Sequence, residues 1–231
     1  MSSRLASFKG PSTPTSSPVQ QRQASSTPSS PARVTESTYH RKLRTLLHEL
    51  QSITEIWDDL VLIDGLKAAK SLVDLRTELD NTLALVPHRL PRTRIIGPKL
   101  AAMDQRISEL DTVLIKLRKQ FRKINNIVEN LDVLVIEAHK NKGWPWVEKE
   151  PLWTTWSLEK FASSVPEILI PYHRALDEHI TLVNILRNHS ASFDASRDAI
   201  SKWAAQPWLE EHGWDARWED LCFVEIDRWN R

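Results

Sequence analysis

Between Leu100 and Ala138 the chain places an apolar residue every three or four positions without a break: Leu100, Met103, Ile107, Leu110, Leu114, Leu117, Phe121, Ile124, Val128, Leu131, Val135 and Ala138. Alternating steps of three and four put all of them on one stripe of an α-helix. About 40 residues at 1.5 Å each make a rod of roughly 60 Å. A stripe of that length cannot fold over a compact core, so it predicts a partner helix as long as itself. Leu110, Leu114, Leu117, Phe121, Ile124, Val128 and Leu131 are the expected seam. Ile115, Ile127 and Leu134 widen the stripe, which predicts a third helix, from this chain or another, over the surplus.

A partner of suitable length precedes it. Leu43, Leu46, Leu50, Ile53, Trp57 and Leu60 form a second stripe, which slips at Asp64-Gly65 and resumes as Leu72, Leu75, Leu79, Leu83 and Val86. Glycine inside a helical pattern costs about 1 kcal/mol relative to alanine, so the slip reads as a kink or break. "PHRLPRTRIIGP", Pro87 to Pro98, holds three prolines and a glycine and reads as a loop. Residues 37–140 are therefore expected to form an antiparallel coiled-coil hairpin. The whole chain has five glycines, of which Gly65, Gly97, Gly143 and Gly213 mark boundaries. Sheets spend more glycine at their turns, so the expected class is all-α and elongated.

Residues 1–36 are rich in Ser, Thr, Pro and Gln, and bury too little to offset chain entropy. They are expected to be a disordered tail. Thr13, Ser17, Thr27 and Ser30 each precede a proline and are candidate phosphorylation sites. Ser30-Pro31-Ala32-Arg33 has the spacing that proline-directed cyclin-dependent kinases prefer.

Nine of the ten tryptophans fall from residue 144 onward. Trp144, Trp146, Trp153 and Trp156 straddle Pro145 and Pro151, so residues 141–157 read as an extended linker. In residues 158–231 a helical segment capped by Ser157 carries Leu158, Phe161, Val165, Leu169, Tyr172, Leu176, Ile180 and Val183 inward, with a kink at Pro166 and Pro171. "HSASFDAS" reads as a loop, followed by short helices that "QPW" separates. This segment is expected to fold back on the hairpin, with most of the rings as packing. Trp156 and Trp203 fit core positions; Trp208, and after it Trp144 and Trp146, are the expected outward anchors for another protein.

The signatures of chemistry are missing. There is no glycine-rich phosphate loop, no nucleophile elbow and no Cys-x-x-Cys pair. His173 and His179 stand on different helix faces, with Asp177 and Glu178 diverging between them, and Cys222 sits among apolar residues. No catalytic, cofactor or metal site is expected. The net charge of +1 supplies no field for nucleic acid. Of two basic patches, "KLRKQFRK" (116–123) reads as a solvated helix face, and "HRLPRTR" (88–94) as a loop; direct nucleic-acid binding is not expected. "MSSRLASFKG" has no apolar signal core, and no apolar run reaches the roughly 20 residues of a membrane span. With one cysteine, an intracellular protein is the expectation.

The order of these features resembles the cyclin-dependent kinase 2-interacting protein family. The resemblance rests on Pro151-Leu152 with Trp156 before the helix of "YHRALDEH", and on Trp203 followed by Gln206-Pro207-Trp208; Trp144, Trp146, Trp214 and Trp218 are additions to the family pattern. It implies a non-catalytic, mainly nuclear subunit that joins a second small helical subunit and AAA+ ATPases in a hetero-oligomer. Such assemblies act in large ribosomal subunit maturation, or in DNA replication and checkpoint control. The resemblance implies partner binding through the coiled coil and the C-terminal Trp motifs; with the anchor argument for the linker rings, the candidate partner-binding residues are Trp144, Trp146, Trp153, Trp156, Trp203, Gln206, Pro207 and Trp208. A structural coiled-coil subunit of a kinetochore or cytoskeletal complex is the alternative.

Overall fold

A computed structural model describes residues 36–85, 93–211, 214–221 and 223. The tail with its four candidate phosphorylation sites, the segment 86–92 and Cys222 lie outside the described residues. Regular structure among the described residues is helical, as the sequence predicts. From Glu36 onward the described residues form one compact unit.

Helix α1 (Thr38–Asp58) starts at Ser37, whose hydroxyl accepts from the His40 amide. It continues through a π turn (Asp59–Gly65) into α2 (Leu66–Leu85) without leaving helical backbone. The slip at Asp64-Gly65 is thus absorbed rather than broken: one wider turn takes up the extra residue and the apolar row resumes on the same side. Gly65 is needed there for another reason. A Cβ on it would lie 2.4 Å from Cζ2 of Trp203, which rests on this turn and donates its indole N–H to the Val61 carbonyl at 2.9 Å.

Helix α3 (Thr93–Lys142) is longer than its stripe suggested, and residues 93–98 are helix rather than loop. Pro98 lies inside it and costs one backbone hydrogen bond. Half-buried Ile96 and Leu100, which continue the row ahead of Met103, and the Lys99–Glu78 ion pair at 2.6 Å hold this end down. Gly143, at φ +84°, ends the helix in a conformation that other residues avoid.

α3 runs antiparallel to the α1–α2 rod. Asn141 donates to the Tyr39 hydroxyl (2.8 Å), and ion pairs join Glu137 to Lys42 (2.7 Å), Lys116 to Asp64 (3.4 Å) and Lys99 to Glu78, one number rising as the other falls. Leu110, Leu114, Leu117, Ile124, Val128 and Leu131 are buried and Phe121 half-buried, as the seam requires. Ile127 and Leu134 are buried too, but Ile115 is 63% exposed: the surplus width lies on one side only.

The cover for that width comes from the C-terminal part. Ser157 caps α5 (Leu158–Ser164), and a 3-10 turn holding Pro166 leads into α6 (Leu169–Arg187), whose first turn accommodates Pro171. α6 lies along α3, with Arg187 paired to Asp111 and His173 against Phe121. Helix α7 starts at Phe193, capped by Ser192, so only the first part of "HSASFDAS" is a loop. α7 (Phe193–Ala205) returns along α2, from Ser196 beside Arg76 to Trp203 on the π turn. The rod, α3, α6 and α7 form a four-helix bundle, in which α6 packs on α3 and α7 packs on α2 and α6.

Candidate partner-binding surface

The extended linker of the sequence reading is half helix. Trp144–Lys149 forms α4, with Pro145 in its first turn and Val147 fully buried. Trp144 stays 45% exposed against the edge of His139, while Trp146 tilts onto Tyr39 at 5.5 Å. Beyond α4 the chain closes a small loop, the Leu152 amide donating to the Trp156 carbonyl at 2.9 Å. His40 pins this loop to α1. Its Nε2 donates to the Leu152 carbonyl and its Nδ1 accepts from Ser37, both at 2.6 Å. Burial lowers the His40 pKa, and the Leu152 carbonyl partly offsets that.

Trp153 and Trp156 share Phe161. Trp153 stands edge-on to it with Arg44 over its ring; Trp156 tilts onto it at 5.1 Å, with the Lys160 ammonium 5.6 Å from the centre of the Trp156 ring. Both indoles are half-buried, so neither is plain core.

The second tryptophan group divides by depth. Trp203 is fully buried, and Gln206 is buried in a left-handed conformation that ends α7. The Gln206 side chain accepts from the Trp57 indole and donates to Asp58, each at 3.1 Å, so it locks the end of α7 to α1. Desolvation raises the Asp58 pKa, which the Gln206 hydrogen bond counters. Pro207 opens α8 (Pro207–Glu211), and Trp208 lies half-buried with the Arg174 guanidinium 5.0 Å above its ring. Trp203 and Gln206 therefore build the support, and Pro207 and Trp208 are carried on it.

Helix α9 (Trp214–Leu221) completes the surface. Trp218 stands between two grooves. One, of about 210 Å³, has Trp156, Lys160, Arg217 and Leu221 on its walls, with Glu167 paired to Arg217 at 3.2 Å. The other, of about 200 Å³, is bounded by Tyr172 and the carboxylates of Glu55, Asp58 and Glu219. Sequence reasoning missed this partition, because Trp218 joins α9 to α5 on one side and to α1, far earlier in the chain, on the other.

His179 is buried between Trp57 and Trp203, its Nδ1 donating to the Ala175 carbonyl at 2.6 Å while Nε2 has no partner. Burial lowers its pKa, the Ala175 hydrogen bond acting against that. His173 lies on the exposed side, 3.3 Å from Asp177, so the two histidines do face apart. Among the described residues no group of three His, Cys, Asp or Glu is placed to hold a metal, and no helix is long and apolar enough to cross a membrane. No family model matches this chain, and no curated protein matches it.

Proposed function

We propose that this chain is a non-catalytic helical adaptor, which holds a second small helical subunit and an AAA+ ATPase in one nuclear hetero-oligomer. The observation that carries the reading is the pair of grooves on either side of Trp218. Aromatic walls with cations on one side and carboxylates on the other suit a protein segment that brings apolar anchors and charges of both signs. The resemblance of "PLWTTWS" and "WAAQPW" to the cyclin-dependent kinase 2-interacting protein family supplies the class of partner, and with it a role in large ribosomal subunit maturation or in replication and checkpoint control.

Affinity purification of the full chain with identification of its companions tests this. AAA+ ATPases are the expected companions; kinetochore or cytoskeletal proteins in their place would transfer the chain to the structural alternative. Trp208→Ala and Trp156→Ala should each weaken capture by about 2 kcal/mol or more while the melting temperature changes little. Trp203→Ala should instead cost roughly 3–5 kcal/mol of stability, as emptying a large buried aromatic site does. Capture that survives Trp156→Ala would remove the groove that Trp156 lines as a binding surface, and capture that also survives Trp208→Ala would remove the Trp208 anchor.

A further inference from the structure

The side of α3 turned away from the bundle is left to solvent. Ile115, Val133 and Ile136 stand on it at 63%, 62% and 53% exposure. Single exposed aliphatics are ordinary, but these belong to a pattern. Its centre is Asn126, exposed on the same side. Lys119 and Val133 are equally far from Asn126 along the helix; Arg122 and Glu129, and Ile115 and Ile136, differ by one residue, and Arg118 and Asp132 by two. The first half of the face is basic and the second half acidic, with an aliphatic residue toward each end. Among the described residues, no ion pair uses Arg118, Arg122, Glu129 or Asp132.

We propose that a second copy of this chain packs antiparallel on this face, about a two-fold axis at Asn126. Across such an axis, residues equally distant from the centre on opposite sides meet, and each contact occurs twice. Arg122 of one copy then faces Glu129 of the other, and Arg118 faces Asp132. Ile115 meets Ile136, and the Lys119 stem covers Val133. The two Asn126 amides pair at the axis and fix the register. Lys116 and Glu137 keep their own partners, Asp64 and Lys42. A parallel arrangement would set Arg122 against Arg122. An unrelated acidic helix would pair the arginines but leave Glu129 and Asp132 unmatched, and a polyanion would be repelled by them. The mirrored signs select a second copy.

The contact spans about 30 Å of helix and holds few aliphatic groups, which puts it at the small end of specific interfaces. The dimer therefore depends on concentration and weakens with salt. This is independent of the grooves beside Trp218.

Sedimentation of the full chain is expected to show a monomer–dimer equilibrium. Arg122→Glu and Glu129→Arg each bring like charges together and should raise Kd by about ten-fold or more, with helicity unchanged because both sites are exposed. The two substitutions combined restore opposite charges and should return Kd close to that of the parent. Asn126→Cys, in a Cys222→Ser background, should oxidise to a covalent dimer, since facing residues at a helix-pair axis lie within disulfide reach. A parent chain that stays monomeric at about 0.1 mM overturns the proposal. So does a dimer indifferent to either single reversal, a double variant no better than the singles, or failure of the cysteine variant to cross-link.

Discussion

Gly65 and Gly97 are both helical glycines without a left-handed backbone, and alanine at such sites ordinarily stabilises a helix. Space reverses the sign at one of them. Nothing lies within 4 Å of a Cβ at residue 97, so Gly97→Ala should stabilise the chain by about 0.5–1 kcal/mol. At residue 65 the new carbon would meet the Trp203 ring at 2.4 Å and the Leu60 carbonyl at 3.1 Å. Neither the buried indole nor backbone yields cheaply, so Gly65→Ala should cost about 1–3 kcal/mol. Urea melts of the two variants check this, and a stabilised Gly65→Ala would mean that Trp203 does not rest on the π turn. The sequence registered Gly65 only as a slip in a stripe, because its reason lies on a residue far along the chain. Trp203 was legible as core from its period. The lock that Gln206 forms between Trp57 and Asp58 was not, since a left-handed glutamine leaves no local signal.

At the scale of elements, α3 was the most legible part of the chain, because a long apolar row outweighs every local preference within it. Leu114→Asp with Leu117→Asp puts two carboxylates into buried positions, at several kcal/mol each unless the structure opens. Circular dichroism should then show lost helix and a weakened melting transition. Unchanged helicity and melting would mean that the row is not the seam. The ends of elements were read less well. Proline signals marked 93–98 as loop, but Ile96, Leu100 and the Lys99–Glu78 pair outweigh the one hydrogen bond that Pro98 removes. Pro145 suits an extended chain and a first helical turn alike; the burial of Val147 decides for the helix. Grooves made by α5, α9 and α1 were out of reach of periodicity, which reports faces within a helix and not which helices meet.

In the whole molecule, two histidines sit where the C-terminal part joins the rod. His40 holds the Leu152 loop to α1, and His179 fills the space between Trp57 of α1 and Trp203 of α7. Each imidazole has an ordinary value of 6.5, and burial holds each below it in the folded chain. Between the folded and unfolded values the unfolded chain binds more protons, so stability is fully present above about pH 6.5 and falls as pH drops through that window. Asp58 and Glu178 act in the opposite sense, because burial raises both above their ordinary 3.8 and 4.5 and folding there favours the protonated form. Both rises start from ordinary values below the 6.5 of the imidazoles, and the His179 variant separates the histidine contribution from theirs. At His179 the reason is geometric: a proton on Nε2 would find no acceptor among the indoles around it. His179→Leu keeps an apolar side chain in that space and removes the titration. The parent's melting temperature should fall between about pH 7.5 and about pH 5.5, and the variant's should fall clearly less over the same range. Equal slopes would show that His179 is not held neutral by the fold. Because Trp208 and Trp218 are carried on the same joint, capture of a partner through them should weaken over the same interval, and less so in the variant.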